Sequence, residues 1–500
     1  MEENKINEYY SGFNRYKEMN EEERANVQKK LENIFGSNNI TTKQHILHQY
    51  SYDATECEGN MPDFVCIVEN VEQVVNVVKL ANELKIPLIP YISGNNIGGL
   101  TIPVYGGIIL DFGKKMNKIL YVHENHMYAL LEPGVTFGQL FQYLKENHPN
   151  LRYCYPNAPP YAGVVGNVLL SGMNNLSCAH GSMGDFINGL EVVLYDGSVI
   201  RIGSCFLGKE YKPTNWHTRY PMPDLMGLFI NWQGMTGIVT KCAVQLWPRK
   251  KIERVVLAIC DGADLTAEYI REIGRLELVD DISVVSIEVA KMVLGIPEPK
   301  RFENEPAYPM MFPISAHNEK HYQVILGLIN EVTKKIEKKY NKKIQLMDFD
   351  EFASIVGESV RVFADTPAVI TPLYEYSGLT WVGTYAPLEN LGSLIKETAE
   401  LFKKYDIPEF IYMKSMKSSH YGIFRPIVRF KKGLEEKRMR KFLEEVLDVC
   451  LKYDCIPYKT PIWMAKKLQE VIDPNWIKLF KRVKNFMDPN NIFNPGRWGI

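Results

Sequence analysis

The stretch Ile86-Pro87-Leu88-Ile89-Pro90-Tyr91-Ile92-Ser93-Gly94-Asn95-Asn96-Ile97-Gly98-Gly99 reads as a β-branched strand that ends in prolines and opens into a turn rich in glycine and asparagine. Glycine takes positive φ at little cost and lets the main chain approach a ligand closely. Successive amides in such a turn form a concave nest for phosphate oxygens. Taken alone, the stretch suits an ordinary turn after an αβ unit equally well, so its neighbours decide. Before it, Met61-Pro62-Asp63-Phe64-Val65-Cys66-Ile67-Val68 reads as a strand. From Val71 to Lys85, the apolar residues Val71, Val74, Val75, Val77, Val78, Leu80, Ala81 and Leu84 share one broad helical face. The order is strand, helix, strand, phosphate turn.

After the turn come Gly106-Gly107-Ile108-Ile109-Leu110-Asp111, Leu131-Glu132-Pro133-Gly134-Val135-Thr136, Gly163-Val164-Val165-Gly166-Asn167, Gly189-Leu190-Glu191-Val192-Val193-Leu194-Tyr195-Asp196-Gly197 and Gly237-Ile238-Val239-Thr240. In this order the motifs resemble the flavin domain of the vanillyl-alcohol oxidase and p-cresol methylhydroxylase superfamily. The resemblance continues into Asp488-Pro489-Asn490-Asn491-Ile492-Phe493-Asn494-Pro495-Gly496-Arg497 and is weaker in between. It implies an α+β protein of two domains, an FAD-binding domain and a cap domain built on an antiparallel sheet, with FAD as two-electron carrier.

A chain of 500 residues with 46% hydrophobic composition can bury a large core and divides into two or three domains. The formal charge of −1 argues against a nucleic-acid protein, and the basic run Pro248-Arg249-Lys250-Lys251-Ile252-Glu253-Arg254 reads as a solvated linker. The N-terminus is polar and acidic, and no stretch approaches the about eighteen apolar residues needed to span a bilayer. A cytoplasmic, soluble protein without membrane contact is expected. The nine cysteines are scattered with no Cys-x-x-Cys, which fits reduced thiols and gives no metal site. Cys450 and Cys455 read as two buried thiols.

Residues 1–55 read as a helical extension, with Glu21 to Phe35 its clearest helix, and 56–250 as the FAD-binding domain. Residues 251–456 read as the cap, opening on the strand Arg254 to Cys260 and the helix Leu265 to Leu276. Within it Trp381 to Pro387 reads as a strand, Leu388 to Tyr405 as a helix, Ile407 to Tyr412 and Phe424 to Phe430 as strands, and Glu435 to Tyr453 as a helix. This alternation suits an antiparallel sheet covered by helices on one face. Residues 457–500 return to the FAD domain, because the Asn-Pro-Gly-Arg ending belongs to the family's flavin end.

The resemblance places Ser93, Gly94, Asn95, Asn96, Ile97, Gly98 and Gly99 around the pyrophosphate, and Pro156, Asn157, Gly163, Gly166 and Asn167 in a second flavin loop. Gly184, Asp185, Gly237, Ile238 and Val239 match further cofactor contacts. Arg497 matches an arginine that one branch places at the flavin's pyrimidine edge, where a permanent cation stabilises the negative charge of reduction. Phenol-oxidising members hold a phenolate with a tyrosine in the phosphate turn and a Tyr-Arg pair near the C-terminus. Here the turn position is Ile97 and the pair is Tyr458-Lys459, so one group is kept, one becomes a point cation and one is lost. Asn157 stands where the alcohol-oxidising branch has aspartate, and an amide cannot act as a general base. His420 is then the first choice for moving a proton, with Glu409 a weaker one.

The histidine that carries covalent flavin in the alcohol oxidases corresponds to Val382, and the phosphate turn has none. Tyr374 and Tyr376 are the remaining candidates for a covalent link, and aromatic packing suits them better. Non-covalent FAD is expected. The reading is of an FAD-linked oxidoreductase that takes hydride from the benzylic carbon of a para-substituted phenol or a related alcohol. The alternatives are a 2-hydroxy-acid dehydrogenase, with Lys459 on a carboxylate and His420 on the hydroxyl, and an FAD-binding subunit of a larger electron-transfer complex. Oxygen or an electron-transfer protein takes the electrons, and a homodimer is the default assembly.

Overall fold

A computed structural model of the chain describes residues 19–356 and 378–500, apart from Lys209, Pro221, Pro297, Glu298 and Asn304. Helix α1 (Glu21–Phe35) starts at a reciprocal cap in which the Asn20 side chain accepts from the Glu23 amide and Glu23 accepts from the Asn20 amide. Strand β1 (Phe64–Ile67), α2 (Val71–Leu84), β2 (Leu88–Tyr91) and β3 (Ile108–Asp111) form the αβ unit read from the sequence. Val27, Leu31 and Phe35 of α1 are buried in the core that this unit shares with α2. Both β1 and β2 run parallel to β3, and the two-residue strand Ile40–Thr41 pairs antiparallel with the outer edge of β1. Phe64, Cys66, Ile108 and Leu110 pack on the α1–α2 side, while Val65, Ile89 and Ile109 pack with Leu47 and Tyr50 on the other. Burial on both faces explains why these strands read as continuous apolar runs.

A second, wholly antiparallel sheet follows. Its strands are β4 (Ile119–His123), β5 (Tyr128–Leu131), β6 (Ile187–Val193), β7 (Val199–Gly203) and β8 (Ile238–Gln245), in the spatial order β4-β5-β8-β6-β7. Between β5 and β6 the chain forms helix α3 (Phe137–Asn147) and the short helix α4 (Val164–Leu169), which begins at Gly163.

The second lobe is one large sheet. Its elements are β9 (Ile252–Cys260), α5 (Ala263–Gly274), β10 (Ser283–Val285), α6 (Ile287–Val293), β11 (Tyr308–Ala316), α7 (Glu319–Tyr340), β12 (Gln345–Asp348), β13 (Gly378–Trp381), β14 (Thr384–Ala386), α8 (Leu391–Lys404), β15 (Ile411–Met416), β16 (Tyr421–Phe430), α9 (Glu436–Lys452) and β17 (Ile456–Pro457). The order β12-β9-β11-β10-β15-β16-β14-β17 is antiparallel throughout, with β13 also paired to β16. One face carries the largest core, in which Ile411, Met413, Phe424 and Val428 meet Leu394, Phe402, Phe442 and Val446 of α8 and α9. From the opposite face project Tyr412, Lys414, Met416, Ile423 and Arg425, the alternate residues of β15 and β16.

Two expectations shift. The strand expected from Ile407 begins at Ile411, because the chain is still closing α8: Asp406 is left-handed (φ 46°) and the Ile407 amide donates to Phe402 O at 3.1 Å. The strand expected over Trp381–Pro387 is broken at Val382-Gly383, where the Tyr458 ring lies so close that a Cβ on Gly383 would fall 2.5 Å from it. After β17 the chain crosses to the first lobe through helix α10 (Pro474–Met487). There Leu88 N donates to Ile492 O (2.7 Å) and Asn494 N to Leu88 O (2.8 Å), so the last residues lie along β2. All nine cysteines are free, and no described helix is long and apolar enough to cross a membrane.

Candidate active site

The turn after β2, the start of α4, the entry to β8 and the loop after β17 line one cleft with about 1140 Å³ of empty space, part of it open to solvent. Ser93, Gly94, Asn95 and Asn96 face it, as do Gly163, Gly166, Asn167, Gly237, Ile238, Val239 and Lys459. Motifs far apart in the sequence therefore converge on one place. The turn is held by its own side chains: Asn96 Oδ1 accepts from the Leu100 amide (2.8 Å) and its Nδ2 donates to Thr101 Oγ1 (3.0 Å). Gly94 has φ 66°, and a Cβ there would meet the Tyr91 hydroxyl at 2.5 Å.

Gln233 and Asn494 also line the cleft and were not singled out from the sequence. Asn494 Nδ2 bridges Leu100 O (3.1 Å) and Gln233 O (2.7 Å), tying the C-terminal segment to the turn and to the entry of β8. The Oδ1 of Asn167 and the Oε1 of Gln233 are buried with no hydrogen-bond partner. Asn167 Oδ1 is turned against Gly172, where it occupies the place a Cβ would take, and Gln233 is anchored by its Nε2, which donates to Thr460 O at 3.0 Å.

Beside the cleft, the face of the cap sheet that lacks helices carries a second cluster. Arg425 Nε donates to Tyr458 Oη at 2.9 Å, and Nη2 contacts Met173 Sδ at 3.3 Å. The guanidinium carbon lies 4.7 Å from the centre of the Trp381 ring and 4.8 Å from that of Tyr412. The Tyr385 ring stacks on Tyr458 at 5.5 Å, and its hydroxyl donates to Ser171 O of the first lobe at 3.3 Å. Burial pushes the Tyr458 phenol up while Arg425 pulls it down. Tyr458 thus stays a protonated donor. Asn157 reaches this cluster too, with Nδ2 donating to Tyr412 Oη at 3.3 Å. Behind Tyr412, Ser283 and Lys414 lead to Asp281, whose carboxylate is ion-paired to the fully buried Lys414.

Other expected residues serve elsewhere. Arg497 is neither at the surface nor at the cleft wall. It is 2% exposed, and its guanidinium donates to Ile102 O and to Asn494 Oδ1 (3.4 Å), so it braces the turn through Asn494. His420 is exposed in the β15–β16 hairpin with Nδ1 donating to Lys417 O at 2.7 Å, and it is not among the residues that line the cleft. Glu409 accepts from Tyr308 Oη at 2.9 Å, away from the cleft. Ile97, Gly98 and Gly99 form the back of the turn, packed on the Lys459 carbonyl and Cys57. Pro156 is buried and accepts from the Ala158 amide. Gly184 accepts from Arg219 (3.1 Å), and Asp185 pairs with Lys417 (3.1 Å) across the lobes. Val382 is buried in the cap core, and Tyr374 and Tyr376 lie outside the described residues. Among the described residues no group of three His, Cys, Asp or Glu could hold a metal ion. His317 and His321, four apart, stack on each other at 5.7 Å at the start of α7.

The FAD binding domain family matches residues 62–203, and the family of FAD linked oxidases, C-terminal domain, matches residues 264–498. The chain belongs to the FAD-linked oxidoreductases of the p-cresol methylhydroxylase and vanillyl-alcohol oxidase type. It is 28% identical to the 4-cresol dehydrogenase [hydroxylating] flavoprotein subunit of Pseudomonas putida over 510 residues, 94% of each chain. It is 26% identical to the glycolate oxidase subunit GlcD of Bacillus subtilis over 494 residues, 94% of this chain and 96% of that one. The structure of p-cresol methylhydroxylase with substrate bound superposes with a TM-score of 0.84 at 23% identity, over 96% of this chain and 98% of that one. FAD is the cofactor of this FAD-linked oxidoreductase. The cleft fits it, with the glycine turn after β2 available for phosphates. Among the described residues that line the cleft there is no histidine, cysteine or tyrosine.

Proposed function

We propose that this FAD-linked oxidoreductase removes hydride from the benzylic carbon of a para-substituted phenol or a related aromatic alcohol. The observation that carries the reading is the cage at Arg425. A planar cation lies over the rings of Trp381 and Tyr412 and donates to Tyr458, which sets a guanidinium and a phenol side by side as donors for an ionised substrate oxygen. The arginine absent from position 459 is thereby supplied by a different strand. Bound FAD supplies the two-electron oxidant, and this chain's residues bind and orient the substrate and move its proton. Asn95, Asn96, Gly163, Gly166 and Asn167 are proposed to hold FAD without a covalent bond, with Asn157 and Tyr412 setting the cap sheet against it. A 4-cresol dehydrogenase relative described as a flavoprotein subunit supports an electron-transfer protein as acceptor.

A second reading, oxidation of a 2-hydroxy acid, is favoured by the same guanidinium, whose fork suits a carboxylate, and by the glycolate oxidase relative. Anaerobic mixing of the purified protein with para-alkylphenols and with 2-hydroxy acids separates the two. Bleaching of the flavin by phenols supports the first reading, and bleaching by hydroxy acids alone replaces it with the second. A flavin that neither class reduces overturns both in favour of an FAD-binding subunit.

A further inference from the structure

Helix α10 buries one side and leaves an apolar strip in solvent. Phe480, Lys484 and Met487 turn into the first lobe, where the Lys484 ammonium pairs with Asp488 and donates to Met235 O at 2.9 Å. Trp476, Leu479, Val483 and Phe486 recur at spacings of three and four, which puts them on one strip of the helix surface. Along that strip Trp476 is 45% exposed, Leu479 60% and Phe486 80%. Its base is rigid. The Phe480 ring stacks on Trp232 at 4.5 Å and on Trp476 at 5.0 Å, with the Trp498 ring edge-on at 5.7 Å, so Trp476 is held in place while it faces water. Arg482 sits three residues after Leu479 and four before Phe486 and so borders the strip, and Lys478 continues that border one turn earlier. Lys478, Lys481 and Arg482 are all exposed, and no aspartate or glutamate stands between Pro474 and Met487. In a chain whose formal charge is −1, this is a local concentration of positive charge beside protruding apolar side chains.

We propose that this face of α10 docks the protein on an anionic lipid surface. Leu479 and Phe486 enter the boundary between headgroups and acyl chains, Trp476 lies at its level, and Lys478, Lys481 and Arg482 meet the headgroup phosphates. Protruding side chains need no shaped pocket in a fluid boundary, and the cations face charge opposite to their own. A second copy of the chain is a poorer occupant, because a twofold pairing sets the same cations against each other. An interfacial helix requires a strip rather than a span. The contact is therefore compatible with there being no described helix long and apolar enough to cross a membrane, and it departs from the expectation of a protein without membrane contact. It is independent of which substrate is oxidised.

The test is co-sedimentation of the purified holoenzyme with vesicles of phosphatidylcholine alone and with vesicles containing about a quarter phosphatidylglycerol, at about 0.1 M salt. Binding to the anionic vesicles only is expected, weakening as salt is raised. Leu479→Ser combined with Phe486→Ser is expected to lower that binding roughly 100-fold. Lys478→Gln combined with Arg482→Gln is expected to lower it roughly 30-fold. Both variants are expected to keep the flavin content and melting temperature of the wild type, because the exchanged side chains lie in solvent. Brominated acyl chains are expected to quench part of the tryptophan fluorescence, and Trp476→Phe to remove that part. No binding to anionic vesicles, equal binding to both kinds of vesicle, or binding that the Leu479→Ser, Phe486→Ser variant retains in full each overturns the proposal. A concentration-dependent dimer that the same variant dissolves, with no vesicle binding, assigns the strip to a second copy instead.

Discussion

At the scale of single residues, the site turns on Arg425, which the sequence did not disclose. Tyr458-Lys459 stands out because it aligns with a family pair, whereas Arg425 is one residue of an ordinary alternating strand and meets Tyr458 only after β16 and β17 are brought together. Removing one charge-assisted donor from a buried oxygen costs about 1.5–3 kcal/mol. Arg425→Met is therefore expected to weaken binding of a para-substituted phenolate inhibitor roughly 10- to 100-fold, read from its perturbation of the flavin spectrum. Arg425→Lys is expected to restore little, because a point charge cannot both donate to Tyr458 and stack between two rings. An unchanged dissociation constant in both variants would remove Arg425 from the substrate site. Arg497 teaches the converse. Its motif was legible, but its bonds to Ile102 and Asn494 depend on a segment that folds back from the far end of the chain.

At the scale of elements, hydrophobic period carried most of the reading. The 3.6-residue repeat of α2 and the doubly buried runs of β1 and β3 specify the αβ unit, and the turn after β2 is then anchored by position. Gly98 tests that turn. With φ 129° and a Cβ that would fall 2.6 Å from the Lys459 carbonyl, Gly98→Ala must displace either the turn or the loop after β17. The expected result is purified protein that retains much less FAD, with affinity lowered by roughly 10- to 100-fold for about 1–3 kcal/mol of strain. Full flavin occupancy would show that the turn yields without cost. Helix α6 supports a pH prediction. Its Glu288 is buried, and burial, with repulsion from Glu409, raises its carboxyl from 4.5 to about 7. The folded state holds that proton more tightly than the unfolded state, so the contribution to stability is full below pH 4.5 and falls as pH rises to about 7. Glu288→Gln is expected to be more stable than wild type at pH 8 by on the order of 1–3 kcal/mol and to lose that advantage near pH 4.5. Urea midpoints at the two pH values decide it, and an equal difference at both would detach the effect from this carboxyl. The strand boundary at Ile411 and the break at Gly383 were not legible, because a left-handed helix end and the approach of the Tyr458 ring leave no periodic signal.

At the scale of the molecule, the site exists only because two lobes meet. Asn157 reaches Tyr412 across 255 positions of chain, and Tyr385 reaches Ser171 across 214. Such pairings lie beyond any local pattern, which is why the turn after β2 was readable and the cluster around Arg425 was not. The junction is fixed by Arg152, whose guanidinium bonds Asp280 at 2.9 and 3.2 Å and Ser315 at 2.7 Å, with both charged residues nearly fully buried. Truncating one partner of a buried pair leaves the other charge without its counterion, at a cost of about 3–5 kcal/mol. Arg152→Met is thus expected to lower the melting temperature and, by loosening the cap, to slow flavin reduction more than it lowers FAD content. Adding Asp280→Asn removes the orphaned charge. If the stranded carboxylate is the source of the loss, the double variant recovers part of the stability, whereas its hydride-transfer rate stays low because the bond that sets the cap against the first lobe is still missing. A double variant no more stable than Arg152→Met would place the loss in the packing of the arginine stem instead.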